Sequence, residues 1–136
     1  MSATLLDTDI LSEVFKQRDA AVKQRAAGYI SLYGQFTLSA FSRFEIRRGY
    51  YSKRARQQLA RFDVFCEHCQ ILPLTGTIFD RAALLWAHAR QNGHPCGDAD
   101  VLIAATALEN GLVLATGNFR HFAWVPGLTT ENWRTP

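Results

Sequence analysis

Short apolar runs alternate along this chain with longer stretches whose apolar positions recur at helical spacing. The runs at 3–6, 36–39, 70–74 and 112–115 are short and bounded by polar or turn residues, as strands of a buried parallel sheet are. Between the first two, Ile10, Leu11, Val14 and Phe15 make one helical stripe that Thr8 or Asp9 can cap. A second helix is expected over 19–32, stopped by Tyr33, Gly34 and Gln35. Another opens at Ser42, where Ser42 and Glu45 match a capping box, and runs to about Gly49. Leu59, Phe62, Phe65, Cys66 and Cys69 fall at helical spacing within 54–69. Ile78, Phe79, Ala82, Leu85, Trp86 and Ala89 mark a longer helix, capped by Thr75 or Thr77 and broken at 92–95. After a turn at 95–97, an alanine- and leucine-rich helix ends at Asn110 and Gly111. A last short strand is expected around 128–130.

Strands separated by helical patterns predict an α/β protein with a mostly parallel sheet and right-handed crossovers. The 136 residues suffice for one domain, 1–136, with its own core and no disulfide staples. No internal repeat or linker interrupts it. No apolar run approaches the roughly 18–20 residues of a membrane span, and the start carries no signal-peptide pattern. The three cysteines are an odd count and fit a reducing compartment, so a cytoplasmic protein is expected.

Charge changes the picture locally. The formal net charge is only +3, yet Arg43, Arg47, Arg48, Lys53, Arg54, Arg56 and Arg61 crowd one segment against Glu45 alone. Such a segment suits a polyanionic partner, or equally a solvated helix face.

Three acids hold matching addresses. Asp7 closes the first strand, Glu45 falls in the first turn of the helix after the second, and Asp100 opens the helix before the fourth. The carboxyl edge of a parallel sheet is where sites form, which brings Asp7 and Glu45 together. Asp100 reaches that edge only if its helix runs antiparallel to the strands. Each acid has a structural alternative, since a carboxylate at a helix N-terminus is favoured by the dipole. Asp98 in particular reads as an N-cap.

Cys66, His68 and Cys69 form a CxxC that Cys96 or His94 could complete as a zinc site. The two cysteines lie on the apolar stripe, however, so buried small hydrophobes is the better reading. Trp86 and His88 belong to a helix, in core or surface roles. Phe15, Tyr29, Tyr33, Tyr50 and Tyr51 could stack on bases or form an interface.

The chain resembles PIN-domain proteins, and specifically the VapC toxins of bacterial type II toxin–antitoxin pairs. The matching segments are LDT at 6–8, SAFSRFE at 39–45 with Gly49, GDADVLIAA at 97–105, TGN at 116–118 with Phe122, and Pro126, Gly127 and Trp133. They span nearly the whole chain in the family's order. The resemblance implies a three-layer α/β/α sandwich with a central sheet of 4–5 strands, acting as a metal-dependent endoribonuclease. It makes Asp7, Glu45 and Asp100 the acidic triad, with Asn118 at the fourth position, and Asp7 and Asp100 the foremost ligands of Mg²⁺ or Mn²⁺. Because Asn118 has no charge to offer, Asp98 is the candidate to supply the missing carboxylate to the metal, provided it precedes the helix proper, since side chains two apart on a helix face different ways. Carboxylates without His or Cys select such hard cations.

Thr8 and Thr116 are expected to hold carboxylate or water by their hydroxyls. Arg43, Arg47 and Lys53 are the candidates for RNA phosphates, and His121, near the site, is unassigned. The resemblance further implies a structured RNA substrate such as tRNA or rRNA, a cognate VapB-like antitoxin and a homodimer. Two rival readings are kept. One is a PIN-fold RNA-binding module with lost or weak catalysis, since Asn118 departs from an all-acid set. The other is a response-regulator-like domain, which the lack of any Lys after Lys53 disfavours.

Overall fold

Alternation along the central strands divides the core into two layers. Leu6 and Leu38 face one side of the sheet with Ala115, among Ile10, Leu11, Val14, Phe62 and Trp133. Leu5 and Leu114 face the other, among Ile78, Leu85, Val101, Ile103 and Phe122. A sheet apolar on both faces must be covered on both faces, and the result is a three-layer α/β/α sandwich.

The computed structural model describes residues 1–94 and 96–136. Its elements are β1 (Thr4–Leu6), α1 (Thr8–Lys16), α2 (Ala20–Tyr33), β2 (Thr37–Ser39), α3 (Ala40–Ser52), α4 (Arg56–Glu67), β3 (Gln70–Leu72), α5 (Gly76–Gln91), α6 (Asp98–Glu109), β4 (Val113–Ala115), α7 (Phe119–Phe122) and β5 (Thr130–Glu131). The sheet order is β3-β2-β1-β4-β5 and every pairing is parallel. The expected alternation of strands and helices is present, with β5 at 130–131 rather than 128–130. Of the expected break at 92–95, Asn92 caps α5 and Gly93 follows at φ 70°; Pro95, and with it the turn proposed at 95–97, falls at the gap in the described residues. No helix among the described residues is long and apolar enough to cross a membrane.

Three local expectations are corrected. Helix α1 is capped by Asp7 rather than by Thr8 or Asp9, because β1 ends at Leu6 and Asp7 is the first polar side chain after it. Helix α3 begins at Ala40, capped by Ser39, whose Oγ accepts the Ser42 N–H at 3.0 Å. The strand ends at Ser39, so the first available serine takes the cap. Ser42 is thereby buried inside the helix, Glu45 falls in its second turn rather than its first, and α3 continues past Gly49 to Ser52. Likewise Gly97, not Asp98, is the N-cap of α6.

The position of Asp100 follows from connectivity. Helix α6 ends where β4 begins, so it runs back along the sheet and its N-terminus lies at the carboxyl edge of the strands. Helix α5 shares this apolar layer and packs antiparallel to α6, fastened by an Arg81–Glu109 ion pair. The last residues are anchored by Trp133, fully buried against Tyr29 at a ring separation of 5.7 Å. The Tyr29 hydroxyl accepts from the Thr4 N–H at 3.0 Å, so that ring is core and not a base-stacking surface.

Candidate active site

Asp7 is the N-cap of α1, immediately after β1. Its Oδ1 accepts the Thr8 N–H at 2.8 Å, and its own N–H continues the sheet to the Ala115 carbonyl at 2.9 Å. Its Oδ2 accepts the hydroxyl of Thr116, which follows β4, at 2.7 Å. The same Thr116 oxygen accepts the Asn118 N–H at 2.9 Å. Asp7 is only 6% exposed. Burial pushes its carboxyl up from the ordinary range to about 7; the hydrogen bond from Thr116 opposes this and the neighbouring Asp9 adds to it.

Thr8 links this group to the next helix. Its Oγ1 lies 2.8 Å from both Glu45 Oε1 and Ser42 Oγ. The single Thr8 proton serves the carboxylate, and the Ser42 hydroxyl supplies the hydrogen on the other side. Glu45 also has the Arg48 guanidinium at 3.5 Å.

Asp9 is a member that the sequence reading missed, having weighed it only as a helix cap. Its Oδ2 accepts the Gly117 N–H at 3.1 Å and lies 3.7 Å from Arg134 Nε. Its Oδ1 is buried with no hydrogen-bond partner. The signal was present in the DTD at 7–9, a second carboxylate two positions inside the cap.

Asp100 stands apart from these three. Its Oδ2 accepts the Gly97 N–H at 3.2 Å, closing the first turn of α6, and lies 3.5 Å from Nδ1 of His121 on α7. Among the described residues no three His, Cys, Asp or Glu side chains stand close enough to hold one ion in this arrangement. Asp98 is exposed and lines a groove with Phe79, Trp86 and Leu102 on the α5 side. Asn118 is exposed at the start of α7, and its side chain makes no capping hydrogen bond.

The donor set nonetheless suits a hard cation. It is made of carboxylate oxygens, one of them orphaned and one carboxyl held near neutrality by burial, and a positive ion relieves both conditions.

Of the basic candidates, Arg47 is engaged inside the protein. It pairs with Asp63 on α4 and donates to the Tyr51 hydroxyl at 3.1 Å. Arg43 lies 3.9 Å from the same Asp63, whereas Lys53 is exposed at the end of α3. Cys66 is buried beside Phe62, as a small apolar residue would be, and burial raises both its thiol and that of Cys69, the latter to about 12. His88 and His94 stack on Trp124, ring centroids 5.9 and 5.6 Å away.

Comparison with known proteins agrees with this architecture. A family model described as "PIN domain" matches residues 4–127. A tRNA(fMet)-specific endonuclease VapC of Shigella flexneri is 28% identical over 130 residues, 95% of this chain and 96% of that protein. The structure of DNA-bound VapBC from Salmonella typhimurium superposes with a TM-score of 0.84 at 25% identity, covering 98% of this chain and 99% of that one. VapBC2 from Rickettsia felis, bound to promoter DNA, shares the fold at a TM-score of 0.85 and 22% identity, covering 96% and 98%. On the family match across nearly its whole length, together with this sheet order and its acidic carboxyl edge, the chain belongs to the PIN-domain family.

Proposed function

We propose that this chain is an endoribonuclease toxin of the VapC kind, dependent on Mg²⁺ or Mn²⁺ and neutralised by a VapB-like antitoxin. The observation that carries the reading is the buried Asp7 carboxyl, held by Thr8 and Thr116 at the carboxyl edge of the sheet, in a chain that aligns end to end with VapC ribonucleases. A group that burial keeps half protonated near neutral pH costs stability, and functional sites are where such costs recur. The tRNA(fMet) specificity of the Shigella flexneri relative favours a structured RNA substrate, tRNA before rRNA, and we place the cleavage in the cytoplasm and the enzyme in a homodimer.

Asp7, Glu45 and Asp100 are the proposed holders of the cation, with Asp9 as a further carboxylate and Asn118 at the margin; Asp98, inside α6 and turned toward α5, is not among them. When bound, the cation would lower the pKa of an attacking water and neutralise charge on the phosphoryl oxygens. The chain's own part is positional. Thr116 fixes the Asp7 carboxyl through Oδ2, Thr8 fixes Glu45, and the Gly97 N–H fixes Asp100. His121, 3.5 Å from Asp100, stands where it can steady that carboxylate or meet a phosphate. Exposed basic residues such as Lys53 carry the RNA backbone.

The test is cleavage by purified protein with Mn²⁺ on tRNA and rRNA, alongside growth arrest on expression. Wild type is expected to cut and to arrest growth. Asp7→Ala and Asp100→Ala are each expected to lose both while keeping the wild-type circular dichroism spectrum. Binding of RNA with no cutting by the wild type would instead make the chain an RNA-binding module.

A further inference from the structure

Glu45 and Lys53 lie about two turns apart on α3, and the far end of that helix carries a different kind of surface. There the ends of α1 and α3 meet the start of α4 around a recess of about 500 Å³, floored by Phe15 and Tyr50 and rimmed by Lys16, Arg18, Lys53 and Arg61. No carboxylate lines it. All four cations are exposed. Among the described residues Lys16, Lys53 and Arg61 pair with no acid, and only Arg18 does, with Glu13 at 3.0 Å. The turn joining α3 to α4 places Arg54 at φ 56°, a left-handed conformation costly for a residue with a side chain, and the Ala55 N–H closes it on the Tyr50 carbonyl at 2.9 Å. This tight reversal sets Lys53 and Arg61 across one opening.

An ordinary solvated face interleaves its signs. Arg43 and Arg47, earlier on the same helix, do meet an acid, Asp63. A concave site with three unpaired cations, and a fourth that Glu13 balances from outside the recess, repels itself until an anion enters. Its apolar floor also leaves an aromatic edge against which a sugar or base can rest. We propose that this recess is a phosphate-backbone subsite for RNA, holding the strand that flanks the bond to be cut. It rests on the ribonuclease reading for its occupant. The two turns of α3 between Glu45 and Lys53 span roughly 12 Å, so the phosphates held here lie roughly three to four nucleotides from the acidic site along a stacked strand.

The experiment is equilibrium binding of RNA by the full chain, wild type against a Lys16→Gln, Lys53→Gln, Arg61→Gln triple variant, over a salt series. Two probes are used: an intact tRNA and a trinucleotide. The substitutions are on exposed side chains, and equal thermal melting confirms an intact fold. On tRNA the variant is expected to bind about tenfold more weakly, and the slope of log K against log salt to flatten by about 2, at about 0.7 per lost phosphate contact on a single strand. On the trinucleotide the two proteins are expected to agree. An unchanged slope on tRNA, or an equal loss on both probes, would overturn the subsite. So would normal RNA binding coupled to lost binding of an acidic peptide, which would assign the recess to a protein partner. Failure of the ribonuclease reading shows separately, as wild type that binds tRNA and never cuts it.

Discussion

The N–H of Gly117 donates to Oδ2 of Asp9 at 3.1 Å, tying the turn after β4 to the first turn of α1 across most of the chain. The approach is close enough that any side chain at 117 must push Asp9 and Arg134 aside. A Cβ there would come within 2.5 Å of that oxygen and 2.9 Å of Arg134 Nε. Thr116, one residue earlier, holds Asp7, so this turn sets the geometry of the candidate site. Gly117→Ala is therefore expected to destabilise the protein by about 1–3 kcal/mol and to lower cleavage, measured by denaturant unfolding and by initial rates. Wild-type stability in that variant would mean that Asp9 and Arg134 give way freely and that the turn is not fixed by them.

Asp7 gives a pH dependence with a definite sign. Its carboxyl is raised from 3.8 unfolded to about 7 folded, so between those values the native state binds more protons than the unfolded one. Stability from this group is present below pH 4 and is lost as pH rises toward and through 7. The shift corresponds to roughly 4 kcal/mol at its limit. Asp7→Asn removes the charge and is expected to raise the Tm of metal-free protein at pH 8 while changing it little at pH 4. Added Mn²⁺ is expected to raise the Tm of wild type at pH 8 and not that of the variant. A variant less stable than wild type at pH 8 would show that the buried charge is not strained.

Thr8 is expected to act through Glu45. Thr8→Val keeps the shape and removes the hydroxyl that holds Oε1 at 2.8 Å. Such supporting partners typically carry about 10–100-fold in activity or metal affinity. The expected result is a fall in kcat of that order with little change in RNA affinity, restored by Thr8→Ser. If Thr8→Ser fails to restore it, packing of the methyl group and not the hydrogen bond is what matters.

What the sequence made legible follows from how local each cause is. Asp7 was readable as an edge acid because an apolar run ends on it; its cap role was not, since Thr8 and Asp9 are equally good caps by type and only the end of β1 at Leu6 gives the place to Asp7. Glu45 was assigned to the right helix but the wrong turn, because Ser39 and Ser42 are both good caps and only the end of β2 decides between them. Asp100 was located by motif, while its edge depended on the direction of α6. The contacts of Asp9 with Gly117 and Arg134 join residues from opposite ends of the chain, and no periodicity encodes them. Asp98 shows the limit of spacing alone: two residues from Asp100 on a helix, it faces a groove toward α5.

Arg47 tests how far charge alone can be trusted. Its place in a basic segment suggested an RNA contact, yet its guanidinium meets Asp63 and lies 5.6 Å from the centre of the Tyr51 ring. Releasing it to a phosphate would strip Asp63 of its nearest cation and leave only Arg43, at 3.9 Å. Because the Asp63 side chain is 37% exposed, solvent screens the pair, and its loss is expected to cost no more than about 1 kcal/mol. Arg47→Ala is thus expected to lower stability slightly and to leave the salt slope of tRNA binding at the wild-type value. A double-mutant cycle with Asp63→Ala should recover most of the small stability loss as coupling between the two. A slope flattened by about 0.7 would mean that Arg47 leaves Asp63 when RNA arrives, and the pair would then be a switch between a free and a bound state rather than a fixed strut.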